Sequence, residues 1–227
     1  MNYTMQGKIA EIFKSIQGEG IYAGRPQVFV RFYGCQTHCR FCDTQLNRYD
    51  KKSPFELIRE VKALSNGWRS LAITGGEPLE QAGFLKAFLS LSKQENFKIY
   101  LETNGILHNE LESVVDLVDT VAMDIKLPSS AGTRAYWQEH KNFLEAGKAR
   151  EIFVKIVVCF STQKDDLEKA IELVRGVSSK IPVVLQPNTF ELTRDLWERA
   201  VEFQRIALES LEDVRIVPQI HKLLGRR

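Results

Sequence analysis

Three of the four cysteines fall within eight residues, where Cys35, Cys39 and Cys42 form the spacing C-x3-C-x2-C. Three thiolates on a short loop can hold one metal centre, and a structural zinc ion would require a fourth protein ligand. Cys159 lies far along the chain in an apolar segment, which is typical of a buried small side chain. His38 lies between two candidate ligands, where reaching the same ion would strain the loop. A four-iron cluster normally takes four cysteines, so three would leave one iron without a protein ligand.

An iron with an open position can bind an exchangeable molecule. The spacing resembles the signature of the radical S-adenosylmethionine (SAM) superfamily. In that superfamily the amino and carboxylate groups of SAM chelate the open iron, and electron transfer cleaves SAM to methionine and a 5′-deoxyadenosyl radical. Phe41 fits the family pattern, in which an aromatic side chain at this position lies beside the adenine. The alternatives are a zinc knuckle or reactive thiols in an ordinary enzyme.

The elements that position this loop are predicted to be strands alternating with helices. A first short strand is predicted at residues 9–13, and apolar, β-branched runs predict further strands at 28–33, 70–74, 98–102, 121–125, 152–160, 182–186 and 214–217. Ser53 and Glu56 form a capping box that predicts a helix ending near Asn66. Six or seven parallel strands are too few for an eight-stranded barrel. We therefore expect an α/β fold, a partial (incomplete) parallel β/α barrel of the radical SAM type, in one domain over residues 1–227.

Polar motifs follow five of these strands. They are the cysteine loop, TGGEP at 74–78, ETNG at 102–105, DIK at 124–126 and QPN at 186–188. Because reactive sites of parallel α/β folds lie at the carboxyl ends of the strands, we expect these motifs to meet. Each motif also has a structural explanation: TGGEP is a common turn sequence, and Asp124 and Lys126 could form an ion pair on a solvated rim. Lys155 interrupts an apolar run, and the sequence does not decide which face of its strand it occupies.

Composition limits the class of protein. Thirty-one basic and twenty-nine acidic residues give a net charge of +2 without a basic block, which does not indicate nucleic-acid binding. No apolar run reaches the length of a membrane span, and the first residues lack a signal-peptide pattern. Clustered cysteines suit a reducing compartment. We expect a cytoplasmic enzyme that acts on a small molecule, with no nucleic-acid or membrane partner.

A more specific resemblance extends over nearly the whole chain. The segments that carry it are EIFKSIQGEG at 11–20, GRP at 24–26, FVRF at 29–32, GC at 34–35, CDT at 42–44, TGGEP at 74–78 and PQIHK at 218–222. Together they resemble the 7-carboxy-7-deazaguanine synthase family of the queuosine and deazapurine pathway. The resemblance implies conversion of 6-carboxy-5,6,7,8-tetrahydropterin to 7-carboxy-7-deazaguanine with loss of ammonia. This ring contraction begins with hydrogen-atom abstraction from C6, and SAM is regenerated.

The resemblance implies one 4Fe-4S cluster, SAM and Mg²⁺ as cofactors. Cys35, Cys39 and Cys42 would hold the cluster, and Thr44 would bind Mg²⁺, which retains waters and takes substrate oxygens. The substrate-binding residues would be Ile16, Gln17, Gly18, Arg31 and Thr74. The SAM-binding residues would be Phe41, Cys42, Asp43, Gly76, Glu77, Glu102, Asn104, Asp124, Ile125, Lys126, Gln186, Pro187, Asn188 and Thr189. No side chain is assigned as a catalytic acid or base.

Arg31 suits the substrate carboxylate, because guanidinium offers a forked, charge-assisted pair of donors. The resemblance also implies an external electron donor such as a flavodoxin, and a homodimer. The main rival is a glycyl-radical-enzyme activating enzyme, which would need a surface for a large protein and has no reason to carry the 15–20 loop with Arg31. A non-catalytic metal-binding module is the other alternative.

Overall fold

The computed structural model describes residues 5–44 and 46–225. Within these ranges, nine strands form one open sheet in the order β3-β1-β2-β4-β5-β6-β7-β8-β9. The strands are β1 (Gly7–Ile16), β2 (Pro26–Phe32), β3 (Asp50–Lys52), β4 (Ser70–Gly75), β5 (Lys98–Thr103), β6 (Thr120–Asp124), β7 (Glu151–Val158), β8 (Val183–Pro187) and β9 (Val214–Ile216).

Strand β2 and strands β4 to β9 pair in parallel, while β1 is antiparallel to both β2 and β3. The predicted partial parallel barrel is therefore confirmed. Two details differ from the prediction. Strand β1 continues to Ile16, because pairing with β2 holds it extended, so the following loop starts at Gln17. The short, charged β3 carries no apolar pattern and was not predicted.

The longer α-helices cover the outer face of the sheet, whereas the short last one lies beside the hairpin between the first two strands. The α-helices of the described residues are α1 (Pro54–Ser65), α2 (Ala82–Gln94), α3 (His108–Val114), α4 (Pro128–Ala131), α5 (Trp137–Gly147), α6 (Lys164–Val177), α7 (Arg194–Leu208) and α8 (Ile220–Leu223). The predicted capping box of Ser53 and Glu56 starts α1, and Asn66 ends it in the left-handed conformation at φ 45°. No helix in the described part of the chain is long and apolar enough to cross a membrane.

Alternation along the parallel strands divides the core into two clusters. Outward residues such as Ile73, Leu101 and Val154 pack with the helices in the larger cluster. The inward cluster consists of Phe29, Ala72, Tyr100, Ala122, Phe153 and Val184. These inward residues form the floor of the partial barrel, below the carboxyl ends of its strands.

The connection between β1 and β2, residues 17–25, enters the barrel and contacts β7. We call this segment the hairpin tip. Gly20 lies against the Phe153 ring, and its φ is +68°. A Cβ there would come within 2.5 Å of Phe153 Cζ, so the position requires glycine. The Tyr22 hydroxyl donates to Glu151 Oε1 at 2.6 Å. The hairpin tip is thus held by the inward side of β7.

Candidate active site

The three clustered cysteines lie on the loop that follows β2. All are free thiols; Cys35 and Cys39 are half-buried and Cys42 is exposed. They line one side of a cavity of about 680 Å³ at the carboxyl ends of the parallel strands. Among residues 5–44 and 46–225, no three His, Cys, Asp or Glu side chains group closely enough to hold a single metal ion. A four-iron cluster takes each thiolate on a different iron, so its ligands need not converge on one point.

The glycines of TGGEP pack against the start of the cysteine loop. Gly75 has φ +129°, and a Cβ there would lie 2.2 Å from the Phe32 carbonyl oxygen. A Cβ on Gly76 would lie 1.8 Å from the Gly34 carbonyl oxygen. The Glu77 amide donates to the same Gly34 oxygen at 2.7 Å. Both positions therefore require glycine, because the backbone of the turn lies directly against the end of β2 and the start of the cysteine loop.

The Glu77 carboxylate is fully buried. It accepts hydrogen bonds from the Thr103 hydroxyl at 2.9 Å, from the Asn104 amide at 2.7 Å and from the Leu79 amide at 3.1 Å. Burial raises the pKa of Glu77 to about 7, although these three donors act to lower it. Glu77 thus fixes the end of β5 relative to the TGGEP turn.

Asp124 and Lys126 form an ion pair at the end of β6. Their nitrogen and oxygen lie 2.8 Å apart, and each side chain is 11% exposed, so this is a buried pair and not a solvated one. The Lys126 amide donates to His140 Nε2 at 3.1 Å, and His140 Nδ1 lies 2.9 Å from the Gly105 carbonyl oxygen. Burial lowers the pKa of His140 to about 4. The imidazole is therefore neutral, with Nδ1–H donating to Gly105.

Lys155 projects into the same cavity from β7. Its ammonium lies 2.5 Å from Glu19 in the hairpin tip and 3.3 Å from Asp124. Burial acts to lower the pKa of Lys155, but the two carboxylates hold it well above its ordinary value. Burial acts to raise the pKa of Glu19 and of Asp124, but the neighbouring lysines lower both. These groups are therefore charged together.

A second cavity of about 420 Å³ adjoins the first. It is lined by predicted substrate residues Ile16, Gln17, Gly18, Arg31 and Thr74. Glu102 lines both cavities and accepts hydrogen bonds from Gln17 Nε2 at 2.8 Å and from Thr74 Oγ1 at 2.7 Å. Burial, followed by the nearby Glu19, raises the pKa of Glu102. Arg31 Nη1 donates to Thr44 Oγ1 at 3.2 Å.

The segment at 218–222 lies beside both cavities. Gln219 Nε2 donates to Glu19 at 2.7 Å and to Asp43 at 3.1 Å, and Thr189 Oγ1 donates to Gln219 Oε1 at 2.6 Å. Lys222 lies 3.2 Å from Asp43. A Cβ on Gly18 would lie 1.8 Å from His221 Nδ1, so glycine at this position makes room for His221.

The structure brings most of the predicted site residues together. The first cavity is lined by Cys35, Cys39, Phe41, Cys42, Asp43, Thr44, Thr74, Gly76, Glu102, Asn104, Asp124, Lys126, Gln186 and Asn188. Four predicted SAM residues line neither cavity: Glu77, Ile125, Pro187 and Thr189. Ile125 packs in the larger core cluster, and Thr189 contacts Gln219 instead. Their assigned roles stay predictions.

Other residues of the site were not predicted. Glu19, Lys155 and Gln219 line the first cavity, and His221 and Lys222 line the second. A lysine within an apolar strand was the available signal for Lys155. His140 lies on α5, away from any motif, and the sequence carries no signal for it.

The cavity has donors and acceptors that fit a cluster and SAM. Within the described residues, Asp124 Oδ1 and Gln186 Oε1 are buried acceptors without a hydrogen-bond partner. SAM carries donors in its ribose hydroxyls and its ammonium group, which such acceptors would satisfy. Burial raises the pKa of the Cys39 thiol and Lys126 acts to lower it, and a metal deprotonates a coordinating thiol outright. The residues present therefore fit both groups.

The comparisons with known proteins agree with this site. The family model described as Radical SAM superfamily matches residues 29–174, more than half of the chain. The fold and the cysteine loop thus define a radical SAM enzyme.

Within that class, relatives from several organisms share one name. A 7-carboxy-7-deazaguanine synthase of Geobacter sulfurreducens is 38% identical, and the match covers 96% of this chain and 97% of that protein. One from Methanopyrus kandleri is 31% identical over 95% of this chain and 92% of that protein. This chain belongs to the 7-carboxy-7-deazaguanine synthase family. The crystal structure of QueE from Escherichia coli shares the fold, with a TM-score of 0.69, 23% identity and 96% coverage of both chains.

Proposed function

We propose that this chain converts 6-carboxy-5,6,7,8-tetrahydropterin to 7-carboxy-7-deazaguanine with loss of ammonia. The observation that carries the proposal is the pair of adjoining cavities. One is lined by the three cysteines, and the other by the half-buried Arg31 and the Gln17 amide, which suit a carboxylated heterocycle. Similarity to the named synthases over nearly the whole chain supports the same reaction.

The first cavity is assigned to the cluster and SAM. Cys35, Cys39 and Cys42 would hold the cluster. When bound, the cluster and SAM together supply the radical chemistry that removes a hydrogen atom from the substrate. Asp124 and Gln186 would accept hydrogen bonds from SAM through their unpartnered oxygens. Lys126 lies 5.1 Å from the centroid of the Phe41 ring, which restricts that ring beside the cluster loop.

The second cavity is assigned to the pterin. Arg31 would pair with the substrate carboxylate. Its Nε is buried and has no hydrogen-bond partner within the described residues, because the Glu11 carboxylate, at 3.9 Å, lies beyond hydrogen-bond distance. Gln17 and Thr74 would bind the heterocycle and are oriented by Glu102. Glu102 orients both side chains as a hydrogen-bond acceptor, and burial, followed by the nearby Glu19, raises its pKa.

Mg²⁺ is assigned to Thr44 at the boundary of the two cavities. The Thr44 hydroxyl lies 3.2 Å from Arg31 Nη1 and 3.2 Å from Asp43 Oδ1. A cation held here would lie next to the carboxylate that Arg31 binds. It would orient that carboxylate and stabilise charge that develops on it.

The same proposal includes the cellular setting. Clustered thiols suit the reducing cytoplasm, and the reaction needs an external electron donor such as a flavodoxin. A single domain over residues 1–227 is supported by the nine strands of the described part forming one sheet. The homodimer is supported by family resemblance alone.

The direct test is an anaerobic assay with the reconstituted protein, reductant, SAM, Mg²⁺ and 6-carboxy-5,6,7,8-tetrahydropterin. We expect 7-carboxy-7-deazaguanine and ammonia, with many product molecules formed for each SAM consumed. Cleavage of SAM without any deazapurine product would leave a radical SAM enzyme but refute the proposed substrate. The relatives do not favour the activating-enzyme alternative.

A further inference from the structure

We propose that Lys155 is a positioning residue that fixes the pterin-binding hairpin tip relative to the SAM-binding end of β6. This inference rests on the proposed function for the identity of the ligands. The observation behind it is one ammonium that contacts carboxylates from two parts of the site, Glu19 at 2.5 Å and Asp124 at 3.3 Å.

The contact depends on strand register. Lys155 on β7 pairs with Asp124 on β6, so the two side chains are neighbours on the inner face of the barrel. Three alternate residues of β7 contact the hairpin tip on that face. Glu151 accepts from Tyr22, Phe153 packs against Gly20, and Lys155 pairs with Glu19. Phe153 and Lys155 also line the first cavity, and Lys155 is the charged member of that pair.

Because the ion pair of Lys155 and Glu19 is largely buried, it limits where the Glu19 side chain can lie. The side chains of Lys155 and Glu19 are 17% and 16% exposed. A buried carboxylate without a cation is unfavourable, so Glu19 is confined to positions from which it reaches Lys155. Glu19 follows Gln17 and Gly18 in the chain, and the Glu19 amide donates to Gln17 Oε1 at 3.0 Å. The position of Glu19 therefore sets the position of the residues proposed to bind the pterin.

The two carboxylates do not depend equally on Lys155. Asp124 keeps a second cation, Lys126, at 2.8 Å. Among the described residues, the Glu19 carboxylate has Gln219 as its further hydrogen-bond partner, and that side-chain amide carries no charge. Removing the Lys155 ammonium should therefore affect the hairpin tip and the pterin more than SAM.

The test compares Lys155→Met with Lys52→Met in the anaerobically reconstituted protein. Lys52 is the matched control, since its side chain is 18% exposed and pairs with Glu60 at 2.7 Å, and it lines neither cavity. Equilibrium binding of SAM and of the pterin is measured separately. In Lys155→Met we expect the pterin dissociation constant to rise at least about tenfold, as for loss of a charged buried contact, and that of SAM to change less than about threefold.

Hydrogen exchange provides a readout that needs no ligand. The Gln17 amide donates to the Arg25 carbonyl, and the Gly24 amide to the Gln17 carbonyl, both at 2.7 Å. Lys155→Met should speed exchange of these amides at least about tenfold, while Lys52→Met leaves them unchanged. If Lys155→Met fails to fold, Glu19→Gln breaks the same pair from the other side and should give the same two effects.

A double variant, Lys155→Met with Glu19→Gln, completes the cycle. Because each substitution removes the same ion pair, the pterin affinity of the double variant should match that of either single variant. Equal losses of SAM and pterin affinity, or unchanged exchange of the hairpin tip, would overturn the positioning role. If the wild-type protein binds SAM but no pterin, the proposed substrate is wrong. The exchange rates then decide the role of Lys155 by themselves.

Discussion

Glu77 and His140 should give opposite contributions to the pH dependence of stability, and single substitutions should reveal each. Both are buried next to the end of β5: Glu77 accepts from Thr103 and Asn104, and His140 contacts the Gly105 carbonyl. Burial raises the pKa of Glu77 from 4.5 to about 7 and lowers the pKa of His140 from 6.5 to about 4. Each shift links folding to proton binding.

Whether acidification stabilises or destabilises the fold depends on whether the folded or the unfolded chain binds the proton. Between pH 4.5 and 7, folded Glu77 holds a proton that the unfolded chain releases, so acidification stabilises the fold. Between pH 6.5 and 4, the unfolded chain protonates His140 and the folded chain does not, so acidification destabilises it. When the pH falls from 7.5 to 5.5, the shifted pKa of Glu77 should raise the free energy of unfolding by about 2 kcal/mol. The shifted pKa of His140 should lower it by about 1 kcal/mol.

The assay is urea unfolding of the reconstituted protein under anaerobic conditions, at pH 7.5, 6.5 and 5.5. Relative to wild type, Glu77→Gln should lose about 2 kcal/mol more stability on acidification, and His140→Gln about 1 kcal/mol less. Glu112→Gln, the same substitution at an exposed position of α3, is the matched control for Glu77→Gln. Identical slopes for wild type and Glu77→Gln would show that the three hydrogen bonds outweigh burial and keep Glu77 ionised.

Three further substitutions address the site itself. Gly76→Ala should lower the iron content after reconstitution, because its Cβ would lie 1.8 Å from the Gly34 carbonyl oxygen. Gly83→Ala is the control, since a Cβ at Gly83 would have no atom within 4 Å. Equal iron content in the two variants would refute the close contact between the turn and the cysteine loop. Thr44→Ala should weaken stimulation by Mg²⁺ and leave the iron content intact, whereas an unchanged Mg²⁺ response would remove Thr44 from the metal site. Arg31→Lys should weaken pterin binding at least about tenfold with SAM binding unchanged, since lysine lacks the forked donors; retained pterin affinity would place the substrate carboxylate elsewhere.

The sequence was sufficient for the parallel strands and for the motifs at their carboxyl ends. The reason is that parallel strands separated by helices place every carboxyl end on one edge of the sheet. The cysteine spacing and the turn sequence TGGEP are local features, and the fold brings them together through the pairing of β2 with β4.

The sequence was not sufficient for side chains whose partners are distant. Alternation gives Lys155 two possible faces, and only the register of β7 against β6 places it beside Asp124. Glu77 follows two glycines at the edge of the cavity, yet its carboxylate turns inward to Asn104, 27 residues along the chain. Gln219 lies 200 residues from Glu19. Such contacts depend on packing that no local pattern encodes.

The central claim is that three thiolates hold a cluster with one iron open to SAM. The most direct measurement is the electron paramagnetic resonance spectrum of the reduced, reconstituted protein before and after SAM is added. We expect the spectrum of a four-iron cluster that changes when SAM binds, and loss of that spectrum when Cys35, Cys39 or Cys42 is replaced by alanine. Tightly bound zinc without iron, or a cluster spectrum that SAM leaves unaltered, would contradict the account.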